Sequence, residues 1–239
     1  MPCFLVPNMI KQADQDNIWN YYQNQGRGHF DLNWPRYRFL AERCPQGTRV
    51  LNIGVGAGYM EQLLVKRNVE VYSLDPNEKS IAWLTVELNM GDRAKQGYSQ
   101  NIPFDTGYFD KVIMTEVLEH LSDDVLHATM DEVRRVLKPG GEFTGTVPYR
   151  ENLQDNTAFC PYCQVIFHRA GHNQSFDVAS LSDLLKRHGF RVERMYPRSF
   201  PDFRRPGFKL FFKALLRYIL GRMGEQLIGP NLYFIARTG

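Results

Sequence analysis

Short apolar segments alternate along most of this chain with longer segments whose apolar residues recur at helical spacing. Short apolar runs bounded by turn residues predict buried strands, and the longer amphipathic segments predict helices. Alternation of this kind is typical of an α/β fold with a parallel, doubly wound sheet. Strands are predicted near 49–53, 69–74, 94–98, 111–115, 142–147, 190–196 and 231–237, and helices near 34–44, 58–67, 77–90, 123–137 and 180–188.

The composition is that of a globular protein with one sizeable core, since 43% of the 239 residues are apolar and 23% are charged. We therefore predict a single domain over 1–239, with an N-terminal lid over 1–35. The charge is uneven, because residues from Lys186 onward include 12 Lys/Arg against 3 Asp/Glu. This basic end predicts either an anionic partner or a solvated face with scattered arginines.

Localisation is predicted from what the chain lacks. No run of about 18 apolar residues is present, and the N-terminal segment does not have the pattern of a secretory signal. The four cysteines, two of them in one close pair, do not form the framework of a secreted disulfide protein. We expect a cytoplasmic protein.

A glycine-rich loop follows the first predicted strand. In segment 50–59, Gly54, Gly56 and Gly58 alternate with other residues. Glycines at such a turn let the backbone approach a ligand closely, and the helix that follows offers free N–H groups. The dinucleotide fingerprint requires a glycine where this chain has Tyr59, and no Gly-Lys-Ser/Thr phosphate loop follows. A nicotinamide-dependent oxidoreductase is therefore disfavoured.

Further motifs follow in order. A second strand ends at Asp75, where a carboxylate can accept both ribose hydroxyls of an adenosine. Segments 102–110, 111–121 and 132–141 contain Pro-Phe-x-x-x-x-Phe-Asp, Glu-Val-x-Glu-His and Leu-Lys-Pro-Gly-Gly. With the glycine triplet, these segments resemble the motifs of class I S-adenosylmethionine (AdoMet) methyltransferases, over roughly residues 36–147. The resemblance implies a Rossmann-like, mostly parallel, seven-stranded sheet with its last strand antiparallel.

The resemblance also implies a cofactor site in which the glycines hold the methionine end and Asp75 holds the ribose. Ile102 would pack on the adenine, and Thr115 and Glu116 would border the sulfonium. The chain departs from the family pattern at Asn52, where an acid is usual, and at Tyr98-Ser99, where many relatives have an acid that accepts from the adenine amine. Each change is expected to weaken binding by about 1–2 kcal/mol. The predicted cofactor-binding residues are Asn52, Gly54, Gly56, Gly58, Asp75, Pro76, Ser99, Ile102, Thr115 and Glu116.

Methyl transfer is an in-line displacement that depends mainly on positioning, but a hydroxyl or amine acceptor also benefits from a general base. Glu116 and His120 are candidate catalytic residues because they lie four residues apart on one face of a helix-like turn. The alternative to a catalytic role is a structural one for both residues, because Glu-His recurs at this place in relatives with different substrates. His29, in the predicted lid, is a further candidate base.

A cysteine–histidine cluster occupies the predicted loop 150–176. Cys160, Cys163, His168 and His172 have the spacing C-x2-C-x4-H-x3-H, close to that of a zinc knuckle. Two thiolates and two imidazoles suit tetrahedral zinc, so we predict a structural metal site. The cysteines are alternatively buried small apolar residues or a redox pair. His172 is alternatively a substrate-side residue, because the sequence around it resembles a stretch that borders the substrate pocket in many relatives.

A helical insertion is predicted over 198–230. Within its apolar segment 208–220, Lys209, Lys213 and Arg217 recur every four residues and form one basic stripe. Such a helix can lie against an anionic membrane surface. Alternatively, it covers the sheet and the substrate pocket.

The leading interpretation is an AdoMet-dependent methyltransferase (EC 2.1.1.-) whose partner is a small or medium acceptor, such as a sugar-, lipid- or polyketide-like metabolite. Nucleic acid is not an expected partner under this interpretation. The alternative is a degenerate methyltransferase domain that uses a zinc knuckle and the basic end of the chain to bind RNA or another anion.

Overall fold

The computed structural model describes residues 17–21, 33–162, 164, 166–203, 208–223 and 230–239. Residues 17–21 are helical, and the longer helices are α1 (Trp34–Ala41), α2 (Tyr59–Val65), α3 (Glu78–Glu87), α4 (Asp123–Val136), α5 (Val178–Arg187) and α6 (Phe208–Arg222). The strands are β1 (Arg49–Ile53), β2 (Glu70–Asp75), β3 (Ala94–Gln96), β4 (Phe109–Thr115), β5 (Leu137–Pro148), β6 (Thr157–Phe159), β7 (Ile166–His168), β8 (Phe190–Arg198) and β9 (Asn231–Thr238).

Seven strands form the main sheet in the order β3-β2-β1-β4-β5-β9-β8. Strands β1 to β5 pair in parallel, and β9 lies antiparallel between β5 and β8. The predicted fold, a mostly parallel seven-stranded sheet whose last strand is antiparallel, is confirmed.

The sheet is buried on both faces because alternate side chains of its central strands enter two different cores. In β1, Leu51 and Ile53 join the core formed with α4 and α5, whereas Val50 joins the core formed with α1, α2 and α3. Apolar residues on both faces are expected of a parallel sheet that is covered by helices on each side.

Two local features differ from the sequence prediction. Strand β5 begins at Leu137 rather than near 142, because Leu137 already pairs with Phe109 before a register shift in β4. Strands β6 and β7 pair as a separate antiparallel hairpin inside the segment that was predicted as a loop. None of the helices in the described ranges is long and apolar enough to cross a membrane.

Candidate active site

A cavity of about 300 Å³ opens at the carboxyl ends of β1, β2 and β4. Ligands of parallel α/β sheets bind at this rim, because the loops that leave the strands converge there. The wall is formed by the glycine loop, the end of β2, residues 97–100, the turn after β4, part of α1, Trp19 and His172.

The glycine loop follows β1 in a left-handed conformation, with φ of +88° at Gly54, +55° at Gly56 and +76° at Gly58. A Cβ on Gly54 would lie 2.6 Å from a methyl group of Val117, and a Cβ on Gly58 would lie 2.5 Å from the Trp83 ring. Gly54 and Gly56 line the cavity. Gly58 instead precedes α2 and allows it to pack closely.

Asp75 closes β2 and joins it to the glycine loop. Its carboxylate accepts hydrogen bonds from the backbone N–H groups of Val55 (2.7 Å) and Asn77 (2.8 Å). Asp75 and Pro76 both line the cavity. A carboxylate is the kind of group that can accept from both hydroxyls of a vicinal pair.

Asn52 is buried and lies behind the cavity wall. Its amide donates to the carboxylate of Glu61 on α2 (2.7 Å), which also accepts from the Ser73 hydroxyl (2.8 Å). Burial raises the pKa of Glu61 to about 7. The acid that the family resemblance places at position 52 is therefore supplied from α2. A neutral donor at 52 avoids a second buried carboxylate beside it.

Residues 97–100 form the wall that follows β3. Ser99 is buried there, with its hydroxyl 2.8 Å from that of Thr129. Ile102 was expected to contact adenine, but its side chain lies in the hydrophobic core and is 2% exposed. The structure places Ile102 outside the cavity wall as it stands.

Glu116, on the wall beside Thr115, has a left-handed backbone with φ of +53°. Its carboxylate accepts from Arg36 (3.0 Å), the Thr146 hydroxyl (2.9 Å) and the Asn231 amide (2.8 Å). Three donors already occupy this carboxylate, so the geometry favours a positioning role over the predicted proton transfer.

His120 is also on the wall, and its ring packs edge-on against Trp19 and His172, each at a centroid distance of 4.6 Å. Its Nδ1 lies 3.4 Å from the Gly171 carbonyl, which can only accept, so Nδ1 carries the proton. Burial, together with the nearby charge of His172, lowers the pKa of His120 to about 3. A group this weakly basic is a poor general base at neutral pH.

Glu119 is a wall residue that the sequence analysis missed. Its side chain is 1% exposed, and neither carboxyl oxygen has a hydrogen-bond partner in the described part of the chain. Burial, and then the charge of Glu116, raise the pKa of Glu119 well above its ordinary value. Glu119 is part of the Glu-x-x-Glu-His motif, but its inward direction is set by the short helical turn Leu118–His120.

The histidines of the predicted zinc site have different partners. The rings of His168 and His172 stack at 4.5 Å, and both imidazoles face Glu151, which is hydrogen-bonded to Nδ1 of His172. Nδ1 of His168 accepts from the backbone N–H of His172 (3.0 Å), so its Nε2 carries the proton and has no lone pair for a metal. Among the described residues, Cys160 does not join the two histidines, and Cys163 lies outside them. The described geometry does not fit the predicted tetrad.

Helix α6 contributes no residue to the cavity wall, so it does not cover the cavity as one alternative predicted. It packs beside β8, and Phe208, Phe212 and Leu216 are exposed on it. Contact with an anionic membrane through 208–220 stays a prediction. Of the predicted lid, only 17–21 and 33–35 are described; Trp19 lines the cavity, Asn20 bonds to Asn77, and His29 lies outside the described residues.

Most of the predicted site residues lie on the cavity wall, together with residues that were not predicted. Predicted residues on the wall are Gly54, Gly56, Asp75, Pro76, Ser99, Thr115, Glu116, His120 and His172. Residues that the sequence analysis did not single out are Asn33, Arg36, Tyr37, Gln100 and Glu119. The added residues come from α1 and from turns, where no sequence motif marks them.

A family model for a methyltransferase domain matches residues 27–194. The chain belongs to this methyltransferase family. The predicted resemblance to class I methyltransferases is thereby confirmed, and the matched region spans the glycine loop, the end of β2, the turn after β4 and the hairpin.

Curated relatives agree with this membership. The chain is 31% identical over 159 residues to a probable S-adenosylmethionine-dependent methyltransferase of Mycolicibacterium smegmatis, a match covering 66% of this chain and 57% of that protein. It is 30% identical over 126 residues to a ubiquinone biosynthesis O-methyltransferase of Pseudomonas aeruginosa, covering 49% of this chain and 52% of the relative. The chain therefore spans a little over half the length of these relatives.

A solved structure with a similar fold is the 1,6-didemethyltoxoflavin-N1-methyltransferase of Burkholderia thailandensis, which contains its substrate and S-adenosylhomocysteine. Its TM-score is 0.67 at 16% identity, and the match covers 98% of this chain and 93% of that one. At this identity the likeness shows the fold of the methyltransferase family.

Proposed function

We propose that this protein transfers a methyl group from AdoMet to a small or medium metabolite. The observation that carries the proposal is the junction of the left-handed glycine loop with Asp75, whose carboxylate is fastened to that loop by the Val55 N–H. At this junction, a backbone that a ligand can approach closely and a carboxylate that can accept from hydroxyls lie on one wall of a cavity of about 300 Å³.

Each part of the wall suits one part of AdoMet. Gly54 and Gly56 would bind the amino-acid end, Asp75 the ribose hydroxyls, and residues 97–100 the adenine. Thr115, at the end of β4, would border the sulfonium. The chain contributes positioning, which can account for about 7–11 kcal/mol of a bimolecular barrier.

The acceptor would occupy the other side of the cavity, between Trp19, Tyr37, Glu119, His120 and His172. This region combines aromatic rings with a few polar groups, as small-molecule sites commonly do. The relatives described above support a small acceptor, since one acts in ubiquinone biosynthesis and one protein of similar fold is a 1,6-didemethyltoxoflavin-N1-methyltransferase. The RNA-binding alternative is not proposed, because the described residues do not form a zinc knuckle.

Calorimetry with S-adenosylhomocysteine tests the cofactor assignment. The wild type should bind S-adenosylhomocysteine and should not bind NADH. Asp75→Asn should weaken binding of S-adenosylhomocysteine about tenfold, because it removes a charge-assisted acceptor. Asp92→Asn, at an exposed position away from the cavity, is the matched control. A wild type that binds no S-adenosylhomocysteine would overturn the proposal.

A second measurement identifies the acceptor. AdoMet labelled in its methyl group is incubated with the enzyme and a panel of hydroxyl, amine and carboxylate compounds of metabolite size. Label should appear in at least one product, and Gly56→Arg, which fills the cofactor loop, should abolish its formation.

A further inference from the structure

His172 is held rigidly on the cavity wall although it belongs to the segment that returns from the β6–β7 hairpin. The backbone N–H groups of Asn173 and Gln174 donate to the Glu119 carbonyl at 2.7 and 2.9 Å. The Asn173 amide donates to the His120 carbonyl at 2.8 Å. These bonds fasten the segment to the turn after β4, so the position of the His172 ring is fixed relative to the cavity.

Glu151 determines which nitrogen of His172 carries a proton. It follows β5 and is itself fixed, because the Ser175 hydroxyl donates to its carbonyl (2.6 Å). Its carboxylate is hydrogen-bonded to Nδ1 of His172. Burial alone would raise the pKa of Glu151, but the hydrogen bond from His172 holds it below its ordinary value. An ionised carboxylate only accepts, so Nδ1 of His172 carries a proton, and in the neutral imidazole Nε2 has the lone pair.

The other titratable groups around the cavity do not offer a comparable base. The Glu116 carboxylate already accepts from three donors, burial raises the pKa of Glu119 well above its ordinary value, and burial lowers the pKa of His120 to about 3. Nδ1 of His168 is occupied by a backbone N–H. The charged and titratable groups that face His172, or share its cavity, are Arg36 and Tyr37 from α1, Asp75 at the end of β2, Tyr98 after β3, Glu116, Glu119 and His120 from the turn after β4, Glu151 after β5, and His168 from β7.

We propose that His172, oriented by Glu151, is the general base for a hydroxyl acceptor, which makes the enzyme an O-methyltransferase. The proposal rests on the proposed function. The hydroxyl oxygen attacks the methyl carbon, the carbon–sulfur bond breaks, and its electron pair stays on sulfur as a thioether. The hydroxyl proton passes to Nε2 of His172, Glu151 stabilises the imidazolium, and the proton then leaves to solvent.

A hydroxyl is the acceptor that needs such a base. A neutral amine already carries an available lone pair and can lose its proton after transfer. A hydroxyl becomes a good nucleophile only as its proton is removed, and a positioned base contributes about 10²–10⁴-fold to the rate.

Paired phenols test the role of His172. Catechol keeps its hydroxyl protons at neutral pH, whereas 4-nitrocatechol is partly ionised there. His172→Gln should lower kcat for catechol about 100-fold or more, with KM changed only a few-fold. The loss should be much smaller for 4-nitrocatechol, because ionisation replaces the base. The acid limb of the wild-type pH–rate profile should be lost in His172→Gln.

Two further variants separate positioning from chemistry. Glu151→Gln should lower kcat for catechol by a smaller factor than His172→Gln and should shift the acid limb of the pH profile. His127→Gln, at an exposed histidine bonded to His188, should keep the wild-type rate. Equal losses for both phenols in His172→Gln, or no loss for either, would overturn the proposal.

A measurement that does not depend on turnover completes the test. Long-range ¹H–¹⁵N NMR on the protein saturated with S-adenosylhomocysteine should show Nδ1 of His172 protonated and Nε2 unprotonated. If neither phenol is methylated, the tautomer of His172 becomes the test. Protonation at Nε2 would then overturn the assignment of His172 as the general base. Stoichiometric metal that is needed for activity and is lost in His172→Gln would also overturn it. Intact binding of S-adenosylhomocysteine in these cases leaves the proposed function standing.

Discussion

The two sides of the cavity are built in different ways. The cofactor side consists of residues that are near one another in the chain: Val55 and Asp75 are 20 positions apart, and Asn52 and Glu61 are 9 apart. The acceptor side joins distant segments, since His120 bonds to Asn173 53 positions away and Glu116 bonds to Asn231 115 positions away.

The two sides also differ in how they treat charge. On the cofactor side, backbone N–H groups donate to Asp75, and Asn52 and Ser73 donate to one oxygen of Glu61, whose other oxygen has no hydrogen-bond partner among the described residues. On the acceptor side, neither carboxyl oxygen of Glu119 has a hydrogen-bond partner among the described residues, and the side chain lies close to His120 and His172. Buried ionisable groups reduce stability, and a cluster of them on a cavity wall marks a candidate functional site. Under the proposed function, the cofactor side would bind AdoMet and the acceptor side would carry the chemistry.

The ion pair between Arg36 and Glu116 supports the acceptor side and should give the largest effect on stability. The guanidinium is 7% exposed and lies 3.0 Å from the carboxylate. Arg36→Met should destabilise the protein by about 3 kcal/mol, because it leaves Glu116 without its counter-charge. Urea denaturation measures this loss.

The control is Arg38→Met in the same helix. Arg38 pairs with Glu42 at 2.8 Å, but both side chains are exposed, so the change should cost less than about 1 kcal/mol. Equal losses in the two variants would show that the acceptor side does not depend on its buried charges.

Gly54 tests the cofactor side in the same way. Gly54→Ala combines a left-handed φ of +88° with a Cβ placed 2.6 Å from Val117. We expect a loss of about 2–3 kcal/mol and at least tenfold weaker binding of S-adenosylhomocysteine. Thermal or chemical denaturation and calorimetry measure the two effects.

Gly47 provides the matched glycine, with φ of +78° and no atom within 4 Å of an added Cβ. Gly47→Ala should cost only about 1–2 kcal/mol for the backbone conformation and should leave ligand binding unchanged. If Gly47→Ala weakens binding as much as Gly54→Ala, close packing of the loop is not what shapes the cofactor wall.

The sequence predicted the cofactor side of the cavity better than the acceptor side. The antiparallel last strand was implied by the family resemblance, and the glycine loop and Asp75 were predicted from local patterns at the ends of strands. The Glu61–Asn52 pair and the core position of Ile102 were missed, because side-chain direction on a helix or turn depends on packing.

The acceptor side was harder to predict for a further reason. The Cys/His spacing around His172 suits a zinc knuckle as well as a cavity wall, and spacing alone does not decide between them. What separates the two is the direction of the hydrogen bonds from His172 to Glu151 and His168, which requires the folded hairpin.

Glu61 makes the stability of the protein depend on pH, which gives a further test of the cofactor side. Its folded pKa of about 7 lies above its ordinary value of 4.5, so the folded protein binds a proton that the unfolded chain releases. Stability is therefore lost as pH rises from about 4.5 through 7. Glu61→Gln removes this dependence, and its stability relative to wild type should improve by about 2–3 kcal/mol between pH 5 and pH 8.

Denaturation of both proteins at the two pH values checks this prediction. Glu87→Gln, at the exposed end of α3, serves as the control and should follow the wild type at both. A Glu61→Gln variant whose relative stability is the same at pH 5 and pH 8 would mean that the carboxyl beneath the glycine loop is not titrating in this window.

The smallest expected effect is at Asn77, where the cofactor side meets the described part of the N-terminal segment. Its side chain accepts from the Ser80 N–H (2.9 Å) as the N-cap of α3 and donates to Asn20 (2.7 Å). Asn77→Ala should cost about 1 kcal/mol, which for a chain of this length lowers Tm by about 2–4 °C. Ser122→Ala is the control, since Ser122 precedes α4 without a side-chain capping bond. Binding of S-adenosylhomocysteine should stay within twofold of wild type, because the variant keeps the backbone N–H that residue 77 donates to Asp75. Turnover should fall if the Asn20 contact positions Trp19 over the acceptor.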